Sequence, residues 1–491
     1  MRLFDAFKKS QVPTVDELSD PDEGLSEEEK AKIERQLLWK LDLQIIPWLC
    51  ILYLLAFLDR ANIGNAKIAG LTKDLDLTTS QFNATLTIFF VSYSVFEPLT
   101  NVLLKRMRPS IFIPLIMLAW GLTMTFMGFV HNYAGLMAAR WFLGLTEAGL
   151  FPGLNYYLSC WYKRSELGIR VAIFFSSAAI AGSFGGLLAA AIEQMHGVGG
   201  KPGWAWIFIL EGLLTVVFAV ASFWMVHDFP SEAKFLSRED LARVLRRLRE
   251  DNQSSAEQES YSHGALWSSL LDWKMWLGMA IYMGTTVPLY AFSIFLPTII
   301  SEMGWATNVV QTQLYSVPPY VAAALLTVVV GWLADRTRTR GIYNLVSSSL
   351  GAVGFAMLLG STNPGVQYAG TFLGAMGIYP CISNTITWMA NNVEGVYRRG
   401  IILGFVIGWG NLNGIVSSNI YFSPPRYIEG HAIVLAFLAV FLFGGSLLMT
   451  VLLRVENKRR KAGKRDYWAE GKSEKELVQR GDMRPDFIYT P

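Results

Sequence analysis

Residues 42–65 read Asp42-Leu43-Gln44-Ile45-Ile46-Pro47-Trp48-Leu49-Cys50-Ile51-Leu52-Tyr53-Leu54-Leu55-Ala56-Phe57-Leu58-Asp59-Arg60-Ala61-Asn62-Ile63-Gly64-Asn65. A run of this length and apolarity crosses a hydrocarbon core of about 30 Å as a helix. Lipid offers the backbone no hydrogen bonds, so helix is the form that satisfies it there. Two opposite charges, Asp59 and Arg60, nevertheless sit inside the run. Working outward, the same signature returns at about 81–104, 110–130, 135–159, 170–194, 204–226, 275–300, 313–333, 342–361, 366–390, 400–422 and 431–453. The 491-residue chain is 52% hydrophobic and 16% charged, against about 25% charged in soluble domains. These features exclude a soluble globular enzyme and a disordered chain. They predict an all-α membrane protein with twelve transmembrane helices.

The long polar stretch between the sixth and seventh segments divides the chain. The expected organisation is an N-terminal tail at 1–40, a six-helix bundle at 41–227, a linker at 228–274, a second six-helix bundle at 275–453 and a C-terminal tail at 454–491. A weak repeat supports the division. Lys105-Arg106-Met107-Arg108-Pro109 follows the second segment, and Gly331-Trp332-Leu333-Ala334-Asp335-Arg336-Thr337-Arg338-Thr339-Arg340-Gly341 follows the eighth. Two related bundles around a midplane site are a common layout of secondary transporters.

Basic residues set the expected orientation. Lys105, Arg106, Arg108, Lys163, Arg164, Arg170, Arg336, Arg338, Arg340, Arg398 and Arg399 cluster in four short connections, while the opposite side carries Lys67, Lys73, Lys201 and Arg426. The richer side is expected to be cytoplasmic, together with both termini and the linker. No cleaved leader is expected, because no short apolar segment follows a basic start. Cys50, Cys160 and Cys381 are widely spaced in apolar surroundings and read as packing residues. Ser26-Glu27-Glu28-Glu29 reads as a capping box, and Ser237 as the start of a linker helix. Gly182-Ser183-Phe184-Gly185-Gly186 offers a small-residue face for close helix contact. Trp39, Trp204 and Trp206 suit an aromatic belt, though each could equally be a packing residue. The sequon Asn252-Gln253-Ser254 falls in the linker, so it is expected to stay unmodified.

Buried charge carries the functional information, since an ionisable residue at membrane depth needs a partner or a wet cavity. The first segment carries Asp59 and Arg60, the fourth Arg140 and Glu147. Asp59 and Arg140 fall at similar depth, and Glu147 lies about two turns from Arg140 on one face. We therefore expect one cluster of four. Arg60 is the expected substrate clamp, because a guanidinium stays charged when buried and its fork matches a carboxylate. Glu147 and Asp59 are the expected proton carriers, with Arg140 as counter-charge; carboxyls removed from water are suited to exchanging protons. The competing reading is a structural set of ion pairs joining the two helices. Tyr93, Asn384, Asn411 and Asn413 are further substrate-binding candidates; each could equally tie helix to helix. Glu97 and Glu211 read as gating or packing partners. Asp335, Arg336 and Arg338 read as a gating latch. No Walker loop, metal spacing or cofactor signature is present in the sequence, and a net charge of +3 gives no reason to expect nucleic acid.

The segment Gly331–Arg340 resembles the helix 2–3 signature of the major facilitator superfamily. Phe57-Leu58-Asp59-Arg60-Ala61-Asn62-Ile63-Gly64-Asn65-Ala66, Arg140-Trp141-Phe142-Leu143-Gly144-Leu145-Thr146-Glu147-Ala148-Gly149-Leu150-Phe151-Pro152-Gly153 and Trp206-Ile207-Phe208-Ile209-Leu210-Glu211-Gly212 resemble, more narrowly, its anion:cation symporter family and the fungal allantoate-permease-like branch. That resemblance implies the major facilitator fold, two pseudo-symmetric six-helix bundles. It implies a proton symporter importing a carboxylated vitamin or nitrogenous nutrient such as nicotinate, pantothenate or allantoate. In the resembled family the first-helix Arg binds the anion, and the first-helix Asp and fourth-helix Glu carry protons. Those roles fall on Arg60, Asp59 and Glu147. Family members often have Tyr where this chain has Phe57. The expectation is a monomeric plasma-membrane carrier whose partners are a small organic anion, protons and the lipid bilayer. An exporter working by proton antiport is the alternative.

Overall fold

The computed structural model describes residues 21–250, 263–306, 308–394, 396–422, 426–471 and 481–491. The sequon at 252–254 lies outside the described residues, as do parts of both tails. Twelve helical segments follow one another. They are α1 (Glu27–Ile68), α2 (Thr79–Arg106), α3 (Pro109–Met127), α4 (Tyr133–Glu147 continuing as Leu150–Ser159), α5 (Arg164–Ile192) and α6 (Gly203–Met225). After the linker come α7 (Trp273–Glu302), α8 (Val309–Thr337), α9 (Gly341–Gly360), α10 (Pro364–Asn391), α11 (Val396–Leu412 continuing as Gly414–Ser417) and α12 (Ile428–Lys461). Nine described helices are individually long and apolar enough to span a membrane. No strand occurs among the described residues.

Packing repeats with a six-helix period. α1 lies on α5, α2 on α4 and α3 on α6; in the second half α7 lies on α11, α8 on α10 and α9 on α12. The halves meet where α5 lies along α8, α2 along α11 and α1 along α7. Small residues set these distances. The face expected on α5 does meet α8: a methyl on Gly182 would fall 2.7 Å from the Tyr320 ring, and one on Gly186 would fall 2.8 Å from the Gln313 carbonyl. Ser183 Oγ donates to the Val317 carbonyl at 3.2 Å. At the ends of α1 and α7 remote from the linker, a methyl on Gly64 would lie 2.5 Å from the Ile294 carbonyl.

Capping explains where α1 begins. Ser26 caps the Glu29 N–H, and the Glu29 carboxylate returns to the Ser26 N–H at 3.0 Å. The result is one continuous helix from Glu27 through the membrane segment. The linker helix Arg238–Glu250 opens on Ser237, whose Oγ accepts from Asp240 N at 3.1 Å. It clips onto the N-terminal half through Arg247 with Glu34 (2.9 Å) and Glu166 (2.5 Å), and through Asp240 with Lys40 (2.8 Å). The C-terminal residues 481–491 tuck beneath the other half, a feature the sequence reading did not foresee. Asp482 pairs with Lys274 and Arg398, Thr490 O accepts from Trp388 Nε1 at 2.8 Å, and Pro491 O accepts from Arg340 N at 2.8 Å. Trp39 is exposed as a belt residue would be, but Trp204 is buried with its Nε1 donating to Asp74 Oδ2 at 2.8 Å. That hydrogen bond draws the ring inward.

Candidate functional site

Asp59 and Arg60 are consecutive on α1, so their side chains leave the helix about 100° apart. Arg60 enters the seam between the halves. Its Nε and Nη2 both reach Glu147 Oε1, at 3.1 and 2.5 Å. The pair is almost wholly withdrawn from solvent, with side-chain exposures of 8% and 1%. The rings of Tyr93, Phe89, Tyr290 and Phe57 surround the guanidinium, with centroids 5.0, 5.4, 5.6 and 5.8 Å away. Each such ring contributes about 0.5–2 kcal/mol toward a desolvated cation.

Glu147 owes its position to an interruption in α4. The first stretch ends at Glu147, Ala148 turns out of helical geometry, and Gly149 adopts a left-handed φ of 86°. A side chain at 149 would also strike Thr100 of α2. Only glycine satisfies both demands. Glu147 thus closes a half-helix, and its Oε2 has no hydrogen-bond partner among the described residues.

A hydrogen-bond chain leaves Arg60 toward the second half. Arg60 Nη1 donates to Tyr290 Oη on α7 at 3.2 Å, Tyr290 Oη donates to Asn411 Oδ1 on α11 at 2.7 Å, and Asn411 Nδ2 donates to Glu97 Oε2 on α2 at 2.8 Å. The chain starts and ends in the N-terminal half and passes through the C-terminal one.

Asp59 faces the other way, into the interior of the N-terminal half. Its Oδ2 accepts from Trp120 Nε1 at 3.0 Å and Thr215 Oγ1 at 2.8 Å, while Oδ1 has no partner among the described residues. One turn away, Asn62 donates to Glu211, and Asn65 Nδ2 donates to Asn62 Oδ1 at 3.2 Å. The pocket is built from α1, α3 and α6 and holds two acids among neutral donors.

The single four-residue cluster expected from depth along the helices is therefore divided. Arg60 and Glu147 meet; Asp59 turns away. Arg140 pairs directly with neither acid. Its Nε donates to the Thr85 carbonyl at 3.2 Å, and its guanidinium lies 4.6 Å from the Phe89 ring centroid. Equal depth brought Asp59 and Arg140 level without making them face each other. Tyr93 and Asn411 stand at the Arg60 site. Asn384 does not: its Oδ1 accepts from Arg340 Nη1 at 3.0 Å, and its Nδ2 donates to Arg340 O at 2.9 Å and Asn344 Oδ1 at 2.8 Å. Asn413 is turned back onto its own helix, donating to Trp409 O at 2.6 Å.

Of the three residues expected to form a latch, Asp335 makes an ion pair, and its partner is Arg340. Asp335 pairs with Arg340 and accepts from the Ile169 N–H of α5 at 2.5 Å, which joins the halves at the linker end. Arg336 is exposed and lies over the Trp332 ring at 5.2 Å. Arg338 is exposed and ends α8 in a left-handed conformation. The turn after α8 carries the chain round, so Arg340 rather than its neighbours points back at Asp335. Sequence reasoning also missed Tyr290, Trp120 and Thr215, which carry no charge and so gave no signal in an apolar helix.

Residues 49–418 match the Major Facilitator Superfamily. The chain is 38% identical to an uncharacterised transporter of Schizosaccharomyces pombe over 413 residues, covering 84% of this chain and 82% of that one. It is 32% identical to the high-affinity nicotinic acid transporter of Saccharomyces cerevisiae over 460 residues, covering 93% and 85%. Among solved structures, an inward-facing bacterial homologue of the human lysosomal transporter Spinster superposes with a TM-score of 0.63 at 14% identity, over 82% of this chain and 96% of that one, a likeness of fold. The chain belongs to the Major Facilitator Superfamily. It is a multi-pass membrane transporter rather than an enzyme, built as twelve helices in two six-helix bundles.

Proposed function

We propose that this transporter imports a small organic anion together with protons by alternating access, with Arg60 as the anion clamp and Glu147 as the proton carrier beside it. The observation that carries the reading is the Arg60–Glu147 pair itself, a buried cation between the halves whose balancing charge is titratable. The charge balance follows directly. In the empty site Glu147 neutralises Arg60. When Glu147 takes a proton it no longer balances the guanidinium's charge, and a carboxylate from the cargo, seated on the Nη1 edge, does so instead. The site carries zero net charge before and after, which is what passage through a low-dielectric seam requires. Asp59, held only by neutral donors, is the second proton-binding acid, and Arg140 supplies positive charge on the Glu147 side. Tyr93, Asn411 and Tyr290 complete the wall around the cargo.

The nicotinic acid transporter among the relatives supports a carboxylated vitamin or nutrient as cargo, as does the resemblance to the allantoate-permease-like branch. The basic connections support a cytoplasmic linker side with both termini inside, and the reading places the carrier as a monomer in the plasma membrane. The domain limits proposed are 41–227 and 275–453, and the Asp335–Arg340 pair acts as the cytoplasmic gate.

Purified protein in vesicles, offered radiolabelled nicotinate and other carboxylates, tests this. Uptake should follow an inward proton gradient. Glu147→Gln should bind and exchange the anion but lose the drive. Gradient-driven uptake by that variant would remove Glu147 from the coupling role. Uptake driven only by the opposite gradient would identify an exporter.

A further inference from the structure

We infer that Glu97 is a proton-operated switch: taking up a proton there reverses the hydrogen-bond chain to Arg60 and turns the Tyr290 hydroxyl into a donor for the bound anion. This rests on the reading of Arg60 as the anion clamp.

Glu97 is 2% exposed. Its Oε2 accepts from Asn411, and its Oε1 has no partner among the described residues. The charged and titratable groups that face it are Arg60 from α1, Tyr93 from its own helix, and Tyr282 and Tyr290 from α7. Among the described residues of α11, Asn411 donates to it and the bare Gly408 lies beside it. Arg60 is already neutralised by Glu147. Among the described residues the one hydrogen bond to Glu97 comes from a neutral amide, with Arg60 acting on it only at a distance, an expensive way to hold a buried carboxylate.

Donor and acceptor inventories then fix what each protonation state allows. An ionised carboxylate only accepts, and a guanidinium only donates. With Glu97 ionised, the links must run from Arg60 to Tyr290, from Tyr290 to Asn411 and from Asn411 to Glu97, as they do. A protonated Glu97 has an O–H to give. The Asn411 amide satisfies it by turning over, presenting Oδ1 to Glu97 and Nδ2 to Tyr290. Tyr290 Oη then accepts from Asn411 as well as from Arg60, and its own hydrogen is released. A carboxylate seated on the Nη1 edge of Arg60 lies beside that hydroxyl and receives it. Proton uptake at Glu97 thus adds a donor to the anion site, and by linkage a bound anion favours the proton. Because Asn411 and Tyr290 belong to the second half, the same event rewires a contact between the bundles.

Infrared difference spectroscopy of the full chain in vesicles, titrated without any anion, reads the switch directly. A protonated-carboxyl band and a change in a tyrosine band should appear together at one midpoint. Glu97→Gln should lose the tyrosine change and the carboxyl component that shares its midpoint, the bands of Glu147 and Asp59 remaining; Tyr290→Phe should lose only the tyrosine change. A tyrosine change that survives in Glu97→Gln, or a carboxyl spectrum identical to wild type in that variant, overturns the inference. Nicotinate binding gives the second readout. Wild-type affinity should strengthen on acidification by up to about tenfold per pH unit for each proton coupled, and the slope should shrink in Glu97→Gln while binding persists. A uniform weakening at every pH would mean that Glu97 is merely structural. Wild-type protein that shows the infrared switch yet binds no anion would count against the Arg60 reading and leave the switch standing.

Discussion

The two sides of α1 handle buried charge in opposite ways. Arg60 faces the seam between the bundles, where a full counter-charge, four rings and a tyrosine hydroxyl meet it. Asp59, its immediate neighbour, faces the interior of one bundle and has only an indole N–H and a hydroxyl. A pair balanced by opposite charge stays neutral while its members exchange partners. An acid among neutral donors, with Glu211 as a second buried acid one turn away and, among the described residues, no cation beside it, is neutralised only by a proton. On the proposed reading, cargo exchange and its coupled proton belong to the first arrangement, and a second proton to the other.

The largest test of that division removes the guanidinium. Arg60→Ala should abolish anion binding and lower stability by about 3–5 kcal/mol, because Glu147 is left buried without its partner. Asp59→Asn, which keeps an acceptor for Trp120 and Thr215, should cost no more than about 1 kcal/mol. Chemical denaturation of the solubilised protein measures both, and equal losses would erase the distinction. The double variant Arg60→Ala/Glu147→Ala should recover part of the loss, since no uncompensated acid remains. Next in size, Trp120→Phe should destabilise by about 1–3 kcal/mol by taking one of two donors from Asp59, with the nicotinate dissociation constant unchanged in a binding assay. Thr215→Val should give the smallest shift, about 1 kcal/mol in the same denaturation experiment. A larger effect on anion affinity than on stability, from either change, would mean that the two sides communicate.

The sequence made the twelve segments legible because each is an apolar run bounded by polar turns, and Ser26 and Ser237 announced helix starts through their side-chain oxygens. It also exposed Asp59, Arg60, Arg140 and Glu147, since charge in such runs stands out. Their facing was harder. Neighbours on a helix diverge by about 100°, and depth alone places Asp59 level with Arg140 without saying which way either looks. The break in α4 was hidden for a related reason. Gly149 and Pro152 would mark a turn in a soluble chain, but membrane helices carry such residues freely. Asn384 and Asn411 look alike in sequence, each a polar residue in an apolar helix. Only the rotation of α10 and α11 sends one to Arg340 and the other to Tyr290. Residues 481–491 have no apolar period, and backbone acceptors together with Asp482 hold them in place.

The close approach of α1 to α7 has a practical corollary. With the Ile294 carbonyl 2.5 Å from where a methyl on residue 64 would sit, peptide oxygen and methyl carbon compete for one spot that neither backbone can vacate cheaply. Alanine at that position is expected to act as a wedge, prying apart the lips of the seam and enriching the conformer that gapes toward that face. It offers the biochemist a one-atom means of biasing the carrier for crystallisation or cryogenic imaging without touching any group that handles cargo.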